Sequence, residues 1–529
     1  MPSTPERFRA AGIRVTALAR RPAGVAAAIW TAFYLALCAT GQRFTTIYLD
    51  FGWQLIPREI LRADPLRSTW YLHIQPPLWN LTIGVILRWS PLSDALSLQL
   101  LQFVIGLAMV AMLASIVQRL GARSTLAVVV AVVAGVHPDV IGNAFQPTYE
   151  MPSAALLVGL VWLLTSERRD RRWFVAIAAV ASITALTRSL YHPVWIVVVL
   201  AVVAMQLCRE SSWHLQRRTI AIGCAIPLLT VGGWMVKNEV MFGQATLSSW
   251  FGMNMQRAVI PVLPAADLTR LYDEGKVSDI AIVGPFGNYD LYKPFMAPCT
   301  PSHAHPAASV PVRLNDVVVP NFNYECFLPV FSRAGSDAWA VIKDSPSTFV
   351  EGRLWSARTW FALNGASASS RSVVMRTLDR VNKVVGVGVP GVISTAGWGT
   401  PIYGTLEADA NFSLVLVALS LVVLMAAARA AWRLWRRISM APADLAIAIT
   451  GFIVLWTFAS GIVFELGEQA RFRTMVDPLV IAVGLWLVVN RVDRLLRRRS
   501  ALRRSPRAGN LDHRSVGGSD EVVDEVIAG

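Results

Sequence analysis

The chain reads as an all-α polytopic membrane protein of about ten transmembrane helices, with a surface helix after the first span and one large extracytoplasmic insertion. Three observations lead there. Apolar residues make up 54% of the 529 positions, more than one soluble domain carries. They collect in uncharged runs near the roughly 20 residues that cross ~30 Å of hydrocarbon. Short arginine clusters recur between the runs, as cytoplasmic loops require.

The first run, 22–41, follows "RVTALARR". Charged residues and no small-residue cleavage site come after it, so it is expected to stay as a span. Further spans are expected at 95–118, 124–138, 151–166, 173–187, 189–208, 219–236, 410–428, 445–464 and 475–490. The clusters "QRLGAR", "ERRDRR", "CRESSWHLQRR", "RAAWRLWRR" and "RLLRRRSALRR" then fall on the same side as the first one. That parity fails if "PPLWNLTIGVIL", 76–87, crosses as well. It is therefore read as a helix on the outer surface, started by Pro76 and Pro77.

Both termini are thus expected in the cytoplasm of a multi-pass cell-membrane protein. The domain organisation becomes a transmembrane module at 1–236 with a first outer loop at 42–94, an extracytoplasmic domain at 237–409, closing helices at 410–490 and a disordered cytoplasmic tail at 491–529. The net charge of +15 is an orientation signal. Nucleic-acid binding is set aside, because the basic residues form loop clusters with no recognition module. The insertion is long enough to bury a core of its own. It holds Cys299 and Cys326, which could be a disulfide in an oxidising compartment or two thiols. No internal repeat, phosphate loop or zinc-type spacing is present.

Ionisable residues gather in the outer loops: Asp50 and His73 in the first, Asp139 and Glu150 in the second, Arg188 and His192 in the third, and "FELGEQARFRTMVDP" in the last. Such groups at membrane depth are paired or functional. Asp50 stands among Tyr48, Phe51 and Trp53, where desolvation would favour general-base work; a solvated interfacial carboxylate is the plain alternative.

An acidic residue just after the first span, followed by an H-x-x-P-P-L element on a surface helix, resembles the GT-C superfamily of polytopic glycosyltransferases. Protein O-mannosyltransferases and lipid A aminoarabinose transferases belong to it. The matching residues are Asp50, then His73, Pro76, Pro77 and Leu78, with Glu150 of "YEMPS" as a second acidic position and Arg471 and Arg473 of "RFRTMVDPL" near a lipid phosphate. The resemblance covers 22–193 and 464–485, and the insertion matches nothing in it. The families often show two adjacent acids in the first loop, whereas here Phe51 follows Asp50.

The resemblance implies a membrane glycosyltransferase that moves a hexosyl or pentosyl group from a polyprenyl-phosphate donor to an acceptor hydroxyl on the outer face. The acceptor would be an envelope glycan, lipid or protein. One base suffices, because a phosphate monoester leaves without protonation, while cations hold its charge. Asp50 takes the base role; His73, Glu150, Arg188, His192, Lys237, Arg471 and Arg473 are the substrate-binding candidates, with no metal and no cofactor. Each has a plainer reading. Arg188 and His192 could cap a junction of spans, Lys237 could be a snorkelling anchor, Arg471 and Arg473 could pair with Glu465 and Glu468, and His73 could hold the proline turn. His303 and His305 of "SHAH" read as polar loop residues. A transporter or lipid flippase is the competing function; it would show repeats and charge at mid-membrane depth.

Overall fold

The structure is a computed structural model, and it describes residues 21–210, 213–296, 298–312, 319–362, 372–384, 386–395, 405–436, 438 and 440–504. A helix stands at each of the ten expected spans. Six are long and apolar enough to cross a membrane: Pro22–Ala39, Asp94–Arg119, Pro193–Glu210, Gln216–Phe242, Leu414–Trp435 and Pro442–Phe464. Ser124–Val136 with Pro138–Phe145, bent by 61°, makes a seventh if counted as one span. The chain is therefore a multi-pass membrane protein, but six or seven spans, not ten, meet the test among the described residues. Glu150–Leu164, at 15 residues, and Arg171–Thr187, at 17, rise only about 22 and 26 Å.

The bundle packs through small residues. Trp30 lies where Gly106 and Gly135 have no side chain; a Cβ on Gly106 would stand 2.7 Å from its ring. Its indole N–H donates to the Gly135 carbonyl at 3.1 Å, locking three helices together. The expected surface helix is Pro77–Trp89, with Pro76 at its N-cap and Pro77 opening its first turn. Proline is favoured there because the first N–H groups have no helical partner.

Helices Phe251–Val259 and Leu328–Asp344 of the insertion touch backbone to backbone. A Cβ at Gly252 would meet the Phe331 carbonyl at 2.0 Å, so only glycine fits. The insertion has one apolar core of its own, around Met255, Leu271 and Val341. A second is shared with the first outer loop: Leu49, Ile56, Leu72 and Trp79 pack with Trp250, Phe286, Phe322 and Phe327. Residues up to Leu487 form one compact unit, and the Gly233–Phe242 helix runs through the expected boundary at Lys237. Cys299 and Cys326 are joined as a disulfide.

Two features depart from the expectation. An antiparallel pair, Gly386–Thr395 with Thr405–Ser413, adds a two-stranded ladder to described residues whose other named elements are helices. The tail, expected to be disordered from Arg491, is helical to Arg504 within Asp477–Arg504. Arginine, leucine and alanine are strong helix formers, and Asp493 pairs with Arg497 one turn on, at 2.8 Å. The second compact unit starts at Val488. Residues 505–529 lie outside the described residues.

Candidate functional site

Helix ends on one side of the bundle build one ionic cluster from four loops and the insertion. Glu150 occupies the first turn of Glu150–Leu164, where the helix field favours an anion. It is buried, and its Oε1 accepts from Arg471 Nε at 2.6 Å. Its Oε2 has no hydrogen-bond partner among the described residues. Arg471, on the one-turn helix Gln469–Arg473, also donates to Glu468 at 3.1 Å and to the hydroxyls of Tyr48 at 3.3 Å and Tyr149 at 3.1 Å. Arg257, from the insertion, pairs with Glu465 at 3.2 Å and Glu468 at 3.5 Å.

Arg188 is the exception in this network. It ends the Arg171–Thr187 helix in extended backbone and is only 6% exposed. Its guanidinium lies 4.0 Å over the Tyr149 ring and 5.0 Å over Phe472. Its Nε has no hydrogen-bond partner, and no carboxylate pairs with it, among the described residues. Aromatic faces attract a cation but leave its N–H groups unanswered. Burial pulls Arg188 down to about 10, so it stays charged at neutral pH.

The loop that carries Glu465, Glu468 and Arg471 is held from below. Gly467 turns it at φ +93°. Arg353 donates to the carbonyls of Ile462 at 2.5 Å, Val463 at 3.2 Å and Glu465 at 3.2 Å, closing the end of the Pro442–Phe464 helix. Such terminal carbonyls carry the negative pole of the helix and favour a cation. Burial pushes the Glu465 carboxyl up to about 7 against the pull of Arg257. For Glu468 burial acts the same way, but Arg471 and Arg257 outweigh it and hold the carboxyl low, at about 2.

Other expected site residues lie elsewhere. Asp50 sits on the one-turn helix Ile47–Phe51, two positions past Tyr48. Successive helical residues turn by about 100°, so the two side chains leave from opposite sides. The Asp50 carboxylate pairs with Arg58 Nε at 3.1 Å. Arg58 in turn lines an open cleft of about 550 Å³ with Glu59, Arg62, Ala63, Arg88 and Asp94.

The remaining candidates have partners of their own. Arg473 is 1% exposed and bonded to Asp139 at 2.5 Å, Asp477 at 3.1 Å and the carbonyls of Trp360 and Ala362 at 2.9 and 2.6 Å. It is a structural hub that ties three segments together. His137, Asp139 and Asp477 lie close enough to hold a metal, but Arg473 already supplies the positive charge to both carboxylates. His73 is fully buried; its Nδ1 meets Ser249 Oγ at 2.7 Å and its Nε2 the Asn323 carbonyl at 3.0 Å. It fastens the first loop to the insertion. Burial pulls its imidazole down to about 3, which keeps it neutral. Lys237 does not snorkel: its buried ammonium donates to the Leu72 carbonyl at 2.9 Å and Asn238 at 2.7 Å, 4.0 Å from the Trp234 ring. His192 is exposed and accepts the Val194 N–H at 3.4 Å, a capping role. Sequence reasoning missed Arg257, a single basic residue in the short helix Phe251–Val259 with no motif around it.

No family model matches the chain, and no curated protein matches it. Among solved structures it is similar to the Archaeoglobus fulgidus oligosaccharyltransferase in the apo form, at 10% identity and a TM-score of 0.38, over 91% of this chain and 52% of that one. The chain spans about half the length of that enzyme. It is also similar to ArnT from Cupriavidus metallidurans bound to undecaprenyl phosphate, at 14% identity and a TM-score of 0.32, over 85% of this chain and 77% of that one. Likenesses of this size carry no argument about activity, and the functional reading rests on the site.

Proposed function

We propose that the chain is an integral-membrane glycosyltransferase that moves one sugar from a polyprenyl-phosphate donor to an acceptor hydroxyl at the outer face of the membrane. The observation that carries the reading is the ionic cluster at the helix ends, above all Arg188, a buried cation held by rings and left without a carboxylate. That arrangement suits an anion brought by a ligand. Glu150 in a first turn and Arg188 at a helix end also place the charge at one surface, as group transfer requires; a transport path would carry it at mid-span.

In this reading Asp50, which leaves the Ile47–Phe51 turn opposite Tyr48 and its partner Arg471, takes the proton of an acceptor hydroxyl that approaches opposite the phosphate, as a single displacement requires. The oxygen attacks the anomeric carbon, the bond from that carbon to the phosphate oxygen breaks, and the electron pair leaves with the phosphate. Arg188 and Arg471 hold the developing charge. No metal is called on, because the arginines supply the positive charge. The test is Asp50→Asn in the purified protein: donor binding should persist while transfer falls by ~10²-fold or more. Near-normal turnover of the folded variant ends the assignment of Asp50.

Orientation is part of the proposal, with both termini cytoplasmic and 237–409 outside. Asp290 is exposed. Asp290→Cys, in a background without Cys38, Cys208 and Cys224, should react with an impermeant reagent on intact cells. Labelling only after lysis inverts the topology.

A further inference from the structure

Outside the ionic cluster, an open cleft lies beyond Arg58, the partner of Asp50. Its walls come from three elements: Arg58, Glu59, Arg62 and Ala63 from helix Arg58–Ala63, Arg88 from the end of the surface helix, and Asp94 from the start of the Asp94–Arg119 span. At about 550 Å³ it falls within the ~300–1,000 Å³ of sites that take small molecules and headgroups. Most of its charge is internally matched. Arg62 pairs with Asp94, and Arg58 pairs with Asp50 and Glu59. Arg88 is exposed and has no ion-pair or hydrogen-bond partner among the described residues. The group left for a ligand is therefore a cation, with two further arginines beside it.

The surroundings define the rest of that ligand. Val85, one turn before both Arg88 and Trp89, stands between them on the helix surface, and Val85 and Trp89 are exposed, Trp89 to 61%. Leu92, 46% exposed, follows in the turn that leads into the span. An exposed tryptophan at the end of a surface helix that leads into a span marks the interface of a bilayer. A cationic cleft bordered by exposed apolar residues at that level matches an amphiphile in both its parts.

We propose that this cleft is a binding site for a bilayer lipid with a phosphate-bearing, negatively charged headgroup, held by Arg88 with Arg58 and Arg62 while its upper chain rests on Val85, Trp89 and Leu92. Guanidinium groups grip phosphate oxygens through paired hydrogen bonds. The site stands whether or not the chain transfers a sugar. Its occupation also offers Arg58 a second anion and loosens the pair with Asp50.

The test is native mass spectrometry of the full-length protein in detergent, titrated with phosphatidylglycerol, with phosphatidylcholine of the same chains, and with inorganic phosphate. Phosphatidylglycerol should bind at least several-fold more tightly than phosphatidylcholine. Arg88→Gln, at an exposed unpaired side chain, should weaken phosphatidylglycerol by about tenfold or more, and Trp89→Gln should weaken the lipid while leaving inorganic phosphate unchanged. Equal binding of the two lipids, or Arg88→Gln binding as wild type, overturns the site. Inorganic phosphate that binds as tightly as the lipid through Arg88 overturns the lipid as its ligand.

Discussion

Replacing Arg188 by glutamine separates a binding group from a structural one. The wild-type guanidinium gains from two rings, at 4.0 and 5.0 Å, about 0.5–2 kcal/mol in all. Against that, its Nε is buried with no hydrogen-bond partner among the described residues, which costs about 1–3 kcal/mol. The two nearly cancel, so Arg188→Gln should melt within a few degrees of wild type, or slightly above it. Binding should behave differently. A charged hydrogen bond to a phosphate oxygen contributes about 1.5–3 kcal/mol, so its loss should weaken a polyprenyl phosphate by roughly 10- to 150-fold. Thermal melting and equilibrium binding on the same preparation give both numbers. A melting temperature lowered by about 10 °C with unchanged affinity refutes the reasoning and makes Arg188 a packing residue.

Arg473→Ala should do the reverse, losing about 3–5 kcal/mol of stability because Asp139 and Asp477 stay buried without their counter-charge; Arg471→Ala, at a partly exposed site, should lose less stability and more donor affinity, as melting and binding will show. Folded His73 takes a proton only near pH 3, because burial opposes its charge, whereas the unfolded residue takes one near 6.5. The unfolded state thus binds more protons between those values, and stability should fall as pH drops below about 6.5, by about 1.4 kcal/mol per unit. His73→Gln should flatten that slope in denaturant titrations. Breaking the disulfide by Cys299→Ala with Cys326→Ala should cost about 3.5 kcal/mol for a 27-residue separation in the chain-entropy model, with peptide mass spectrometry of unreduced wild-type protein checking the bridge itself.

Local signals in the sequence mapped well onto local structure. A helix stands at each expected apolar run, and the paired prolines at 76 and 77 mark the start of the Pro77–Trp89 helix, because both depend on neighbours a few positions away. Glu150 was legible as an ionisable group at membrane depth, but its partner was not: Arg471 lies 321 positions further on. The arginines at 471 and 473 look equivalent in sequence. Their different fates follow from which side of a five-residue helix each one leaves, Arg471 toward Glu150 and Arg473 toward Asp139 and Asp477. The buried setting of His73 was not legible for a similar reason, since it is made by Ser249 and Asn323 from a domain that resembles nothing familiar.

The seam that joins the first outer loop to the insertion also sets a schedule for biosynthesis. His73 and Asn323 stand 250 positions apart, and a ribosome that adds ~5–20 residues per second needs roughly 12–50 s to deliver the second after the first. During that interval Leu72, Ile74 and Trp79 have left the ribosome without Phe322 and Phe327 to cover them. Premature chain termination anywhere before Asn323 strands an apolar surface beside the membrane. Expression of residues 237–409 alone leaves the other half of the same surface bare, so the insertion is best produced together with the loop that precedes it.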